Sequence, residues 1–478
     1  MHIRPFTPLL ALITLSACSG FSHEMGVTPG GMQDIDFARD LIEAGMIPSA
    51  ETFTTEGLFS QHDLPIDGEP CAELLCPRAS AAVVRPVDAA QSQYLVQLGF
   101  DTDIDPETFE RATLDLAVAI DISGSMAGDK LQTAKQSLHA LIDQLDGSDR
   151  LSLVTFGSTA VVEAPLTTMD AAGREALHDA VDALRDGGST AMEDGLVGAI
   201  ASLDDRRQDV SARVFLITDA QPNVGGTSPD AFTSIAADAA DDEIGVTVWG
   251  VGLDLGAALT EALAEVRGAN AWFFSDTQTM AQRVAEEFAF IVTPVAYDLE
   301  VVVQPEADLH LARPWGAPTD EASQQVEFGA STLFLSTRAG GMGVTLDVAS
   351  PIALDLDQPR SLAEMQLQWT PVGETSPVQS SLVVDYDGGE AHSDGITHAD
   401  QEGVFRMSTL VDEVLALEAG AAWCRGEIDQ QEAQSRISEV TTRLEIRVVE
   451  HQDEALAPEA ELMAKLLDNL KKGLSACY

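Results

Sequence analysis

A carboxylate and two hydroxyls alternate with other residues in Asp121-Ile122-Ser123-Gly124-Ser125-Met126, and a glycine separates the hydroxyls. This spacing lets three oxygens converge on one point, and an all-oxygen donor set suits a hard cation. Magnesium prefers near-octahedral oxygen coordination and keeps several waters, so a partial protein shell of this kind fits it. Asp and Ser are also favoured at helix N-termini, so the hexapeptide alone is equally compatible with a capping turn.

The flanking sequence decides where such a loop would sit. The apolar run Leu114-Asp115-Leu116-Ala117-Val118-Ala119-Ile120 reads as a strand buried on both faces. After the hexapeptide, Leu131, Ala134, Leu138, Leu141, Ile142 and Leu145 recur at helical spacing until Asp146-Gly147. The loop therefore joins the carboxyl end of a central strand to a helix, the place where open α/β sheets bind ligands. Strand-like and helix-like segments then alternate. Strands are expected at 151–156, 161–162, 214–218, 246–251 and 272–274, and helices at 171–184, 192–203, 229–241, 257–267 and on through Phe288. That order calls for an α/β fold with a doubly wound, mainly parallel sheet.

At these residues the chain resembles the von Willebrand factor A domain family, whose metal-ion-dependent adhesion site opens with Asp-x-Ser-x-Ser. In that family a threonine after a glycine pair and an aspartate after a later apolar strand complete the site. Gly187-Gly188-Ser189-Thr190 and Val214-Phe215-Leu216-Ile217-Thr218-Asp219 occupy those places in order. The resemblance implies that Asp121, Ser123 and Ser125 hold Mg2+, or Mn2+ or Ca2+, directly, and that Thr190 and Asp219 contact it directly or through water. One departure is Ala220, where the family usually has glycine; alanine resists the positive φ that glycine permits.

The N-terminus carries Arg4, an apolar stretch Leu9 to Leu15, and then Leu15-Ser16-Ala17-Cys18. It reads as a secretory signal over 1–17, too short to span a bilayer. Its last four residues resemble a bacterial lipobox, which implies lipidation of Cys18 and, with Ser19 following, release to an outer membrane. Setting Cys18 aside leaves Cys71, Cys76, Cys424 and Cys477, an even number suited to an oxidising compartment. Of the three connectivities, Cys71–Cys76 with Cys424–Cys477 is the one expected here. Zinc is the competing use, but Cys-x4-Cys has no convincing histidine partner nearby.

Residues 18–80 are expected to be a tether with a short helical piece near 37–42, and Leu41 to Pro65 resembles a region preceding the A domain in some bacterial A-domain lipoproteins. Strands within 81–112 are expected to join an antiparallel β-sandwich over 293–400, into which the metal domain, 113–292, is inserted. Three amphipathic helices are expected in 401–478.

The chain has 78 acidic and 26 basic residues among 478, a formal charge of −52, and five lysines. A field of this sign argues against nucleic acid and against unaided docking on anionic lipid. Lysine poverty on an acidic surface suits a salty medium, where screening relieves self-repulsion. The acidic run 101–107 fails as a calcium loop, because Pro106 and Ala112 stand where an EF-hand needs glycine and glutamate. Asp385-Tyr386-Asp387-Gly388-Gly389-Glu390, with His392, Asp394 and His398, offers a second cation site but reads as well as an acidic loop. His139, His178 and His310 adjoin no nucleophile motif, so no catalytic residue is assigned. The expected function is non-enzymatic. It is that of a lipid-anchored binding protein of the bacterial cell envelope, whose metal engages a carboxylate on a protein partner. A structural scaffold with a purely stabilising metal is the alternative, followed by a metal-assisted hydrolase.

Overall fold

The computed structural model describes residues 26–29, 31–32, 35–105, 108–208, 210–219, 229–251, 266–274, 277–316, 326–339, 341–348, 358–392 and 397–478. One sheet runs in the order Gly31–Met32, Asn270–Phe274, Ile244–Val251, Ser211–Thr218, Leu114–Asp121, Arg150–Phe156 and Ala160–Thr168. All neighbours pair in parallel except the last two, which are antiparallel. Helices Asp129–Gln144, Ala171–Ala183 and Thr277–Ile291 cover one face, contributing Leu138, Leu177 and Phe288 to its core. Met192–Ala201 and Pro229–Asp241 cover the other, with Leu196 and Phe232. Every residue of Leu114–Asp121 is buried, as a central parallel strand requires.

Chain order reverses at that strand. From Leu114–Asp121 the chain builds outward through Arg150–Phe156, then crosses back to lay Ser211–Thr218 on the other side, paired Leu116↔Arg213 through Ile120↔Ile217. The two strands therefore flank a switch point, and the loops leaving their carboxyl ends diverge around a crevice. The 257–267 helix expected from sequence falls largely outside the described residues.

The second sheet is antiparallel, built from Cys76–Val84 and Gln93–Asp101 before the α/β sheet and Pro294–Pro305, Val326–Ser336, Arg360–Pro371 and Val378–Tyr386 after it. Residues 114–291 are thus inserted between strands of this sheet, and the N-terminal segment crosses between the two sheets as well, pairing Gly26–Pro29 with Val326–Ser336 and Gly31–Met32 with Asn270–Phe274. Tyr94 and Tyr386 meet edge to face at 5.5 Å, closing the sheet over a core that includes Val96, Val301 and Leu367. Val326–Ser336 is one continuous strand, and Leu309–Trp315 adds another, pairing with Met342–Val348.

From Ile35 onward, the expectation of a tether over 18–80 is corrected. Ile35, Ala38, Ile42, Phe53, Leu58, Phe59 and Leu64 are buried in one core with the C-terminal helices Glu402–Arg425, Gln430–Glu450 and Ala457–Leu470. Asn469 Nδ2 donates to the Ile42 and Met46 carbonyls at 2.7 and 2.9 Å, and Ile47 N donates to Ala476 O at 2.7 Å. Helix Glu402–Arg425 is wrapped by this segment, the antiparallel sheet and its two sister helices, so it is buried nearly all round rather than along one face. Disulfides link Cys71 to Cys76 and Cys424 to Cys477. Among the described residues, no helix is long and apolar enough to cross a membrane.

Packing the N-terminal segment here buries charge. Glu459 Oε1 accepts from Arg39 at 2.5 Å and lies 3.0 Å from His62 Nε2. Burial, then the adjacent Glu459 charge, pushes the Glu413 carboxyl well above its usual range. Glu459 moves the other way; burial works to raise it, but His62 and Arg39 outweigh that. A raised folded pKa stabilises the fold below the unfolded value and loses that contribution as pH climbs through the folded one. Relative to Glu413→Gln, the natural protein should lose stability progressively as pH rises above the ordinary glutamate range, as followed by denaturant unfolding. A difference that stays constant with pH there would show that Glu413 ionises in the fold without penalty.

Candidate metal centre

Asp121 ends the first of the two flanking strands and Asp219 immediately follows the second, and both side chains are fully buried. Two carboxylates in a dry crevice repel each other and lose hydration, so the surrounding groups must compensate. Asp121 Oδ1 accepts from Ser123 N at 2.7 Å and its Oδ2 from Thr218 Oγ1 at 2.7 Å. Asp219 Oδ1 accepts from Ser125 Oγ at 2.9 Å, and Ser125 Oγ lies 2.9 Å from Ser123 Oγ. The Lys130 ammonium, from the first turn of the following helix, donates to Asp219 Oδ2 at 2.6 Å. Burial raises the Asp121 carboxyl above its ordinary value; hydrogen bonds from Ser123 and Thr218 oppose this, and the charge of Asp219 adds to it.

Backbone bonds knit three loops around these oxygens. Gly124 N donates to Gly188 O at 3.1 Å, Gly187 N to Ile122 O at 2.6 Å, and Ala191 N to Gly157 O at 2.8 Å. Thr190 is buried on the loop so held. Gly188 has φ +98°, and a Cβ there would meet Ser158 Oγ at 2.9 Å, so glycine is needed for both its conformation and its clearance. Two carboxylates and three hydroxyls thus belong to one loop cluster.

This donor set fits a hard divalent cation, for it contains oxygen alone and carries two negative charges in a place that already draws in a cation, Lys130. Among the described residues no group of three or more His, Cys, Asp or Glu is arranged to hold a metal. The Asp121 cluster has only two such residues and completes its shell with hydroxyls.

Ser123, Ser125, Asp121 and Asp219 are linked by hydrogen bonds, and Thr190 joins them through its loop. Ala220 and Cys18 lie outside the described residues. Sequence reasoning missed Thr218 and Lys130. Thr218 precedes an expected ligand on a strand, where alternation sends it toward a different face; Lys130 sits one turn along an amphipathic helix, where lysine usually means solvent. In the second candidate loop, the His392 ring stacks on Phe405 at 3.7 Å and its Nε2 lies 3.1 Å from Ala399 O. That pairing occupies His392 structurally, and Asp394 lies outside the described residues.

The von Willebrand factor type A domain model matches residues 115–287. The E3 ubiquitin-protein ligase WAVH1 of Arabidopsis thaliana is 34% identical over 124 residues, 23% of this chain and 18% of that protein. The inter-alpha-trypsin inhibitor heavy chain H4 of Sus scrofa is 26% identical over 199 residues, 40% of this chain and 21% of that protein. The chain therefore spans about a fifth of the length of these two relatives. A solved structure, von Willebrand factor type A from Catenulispora acidiphila, superposes with a TM-score of 0.50 at 16% identity, covering 82% of this chain and 90% of that one. At that identity the likeness is one of fold, and it extends beyond the α/β sheet. The matched residues, the doubly wound sheet and the loop cluster at its switch point agree: residues 115–287 of this chain form a von Willebrand factor type A domain.

Proposed function

We propose that this chain is a lipid-anchored, extracytoplasmic binding protein of the bacterial envelope that engages an acidic group on a protein partner. The observation that carries the proposal is the burial of Asp121 and Asp219 within an all-oxygen loop cluster at the switch point of the sheet. Asp121, Ser123, Ser125, Thr190 and Asp219 would hold the ion, with Mg2+ the expected one. When bound, it supplies a local positive charge and a coordination position for a partner's carboxylate. Without it, a body of charge −52 repels acidic partners.

The chain's own groups favour binding over catalysis. Hydroxyls, backbone amides and the Lys130 ammonium surround the two aspartates, and these hold charge rather than remove a proton. Two disulfides support an oxidising compartment, and the lipobox-like Leu15-Ser16-Ala17-Cys18 supports anchorage through Cys18.

Calorimetric titration of magnesium, manganese and calcium into the chelator-treated chain tests the site. Saturable uptake of about one ion, abolished in an Asp121→Ala/Asp219→Ala double variant, is expected. Equal uptake by both proteins would mean that the acidic surface merely condenses cations, and the scaffold role would then describe the domain better. The same titration should find Lys130→Met binding about three- to tenfold tighter, since a tethered ammonium no longer competes for Asp219. Weaker binding would instead make Lys130 an organiser of the Asp219 carboxylate.

A further inference from the structure

Helices Asp129–Gln144 and Ala171–Ala183 bring two histidines edge to edge. The His139 and His178 rings lie 4.9 Å apart with planes inclined at 25°, and their Nδ1 atoms are 2.7 Å from each other. On the far side of each ring stands a carboxylate. His139 Nε2 is 3.1 Å from Asp182 Oδ1, and His178 Nε2 is 3.3 Å from Asp143 Oδ1. Ionised carboxylates only accept, so they select the tautomer with hydrogen on Nε2. Neutral rings in that tautomer aim two lone pairs at each other across 2.7 Å, which is repulsive unless a cation joins them. A carboxylate holding the outer N–H of an imidazole is also the usual support of a metal-ligating histidine, fixing ring orientation and raising basicity.

We propose that His139 and His178 form a two-histidine site for a divalent transition metal of the copper(II) or nickel(II) class, oriented by Asp143 and Asp182. A metal about 2.0–2.1 Å from both nitrogens would subtend about a right angle once the rings turn to bring their lone pairs off the N–N line and the nitrogens part to about 2.9 Å. That is the angle of tetragonal coordination, which these two ions favour with nitrogen and oxygen ligands. Both rings are 29% exposed, so water can complete the shell. Lys135 donates to the Asp182 and Leu184 carbonyls, and Arg185 to the same two. These neighbouring positive charges offset the two aspartates, so cation capture here depends on imidazole coordination rather than on general acidity. Helix packing does not need the histidines, because Leu138, Leu177 and Val181 carry it. The inference rests on none of the residues around Asp121.

The test titrates copper(II) into the tag-free full chain in excess magnesium, read by calorimetry and electron paramagnetic resonance. One copper per chain with coupling to two imidazole nitrogens is expected. His139→Ala or His178→Ala should each weaken binding at least about thirtyfold, and Asp143→Asn/Asp182→Asn about tenfold. Thermal melting of each metal-free variant separates misfolding from lost ligands, and the spectrum of the natural chain stands without any variant. Copper uptake indifferent to either histidine, or coupling to a single nitrogen, overturns the site and leaves the rings sharing a proton.

Discussion

Two carboxylates buried side by side at the ends of adjacent parallel strands impose the main electrostatic constraint on this molecule. Ionised Asp121 and Asp219 lose hydration and repel each other, and a low-dielectric crevice magnifies both effects. Much of the local architecture answers that cost. Hydroxyls of Ser125 and Thr218 and the amide of Ser123 turn toward the carboxylates, and the Lys130 ammonium neutralises one of them. Glycines at 124, 187 and 188 let the surrounding backbones approach closely enough to exchange hydrogen bonds. The result is a preorganised set of oxygens, because the strands that carry them are immobilised by burial on both faces.

The same strand that delivers Asp219 is anchored at its other end by a second buried charge. Arg213 donates to Thr247 Oγ1 and Gly268 O at 2.9 and 3.0 Å, and lies over the Phe334 ring of the antiparallel sheet at 5.3 Å. These acceptors are neutral, and burial lowers the guanidinium to about 10. Gly245 leaves room for it; a Cβ there would come within 2.6 Å of the guanidinium. Nearby, Gly268 N donates to Thr332 Oγ1 at 2.6 Å, and Arg267 stacks on Tyr297 at 4.1 Å. The A domain thus rests on its base through polar contacts as well as through its chain connections, and the base of the metal-bearing strand is part of that joint.

Local sequence was informative where a pattern repeats or a loop has one job. Burial on both faces wrote a continuous apolar run at 114–120, and the alternation of elements through Phe288 followed from period alone. The two cysteine pairs likewise matched the expected connectivity. Long-range burial left weaker traces. Ile35, Phe53, Phe59 and Leu64 are spaced irregularly among Gly, Pro and Thr, so neither helical nor strand period marks them, yet helix Glu402–Arg425 covers them. Glu413 is indistinguishable in sequence from a solvent-facing glutamate, because its burial depends on Glu459, Arg39 and His62 arriving from three other elements. His139 and His178 lie on two helices separated by a hairpin, and only the packing of those helices gives their rings a common chemistry.

The surface charge and the metal centre bear on each other through distance. At physiological ionic strength, screening confines the influence of exposed carboxylates to about 8 Å, whereas a buried pair is screened far less. Under the proposed function the domain's acidity would act as a diffuse barrier to acidic partners, and Asp121 with Asp219 as a local well for cations. Lysine is scarce enough that its placement carries meaning. Of five in the chain, Lys130 reaches Asp219 and Lys135 caps the carbonyls of Asp182 and Leu184, while the other three lie in the C-terminal region. The domain's two lysines are both engaged. Under the function proposed above, recognition of a carboxylate would be conditional on a bound cation, giving an otherwise repulsive surface an attractive point at the switch of its sheet.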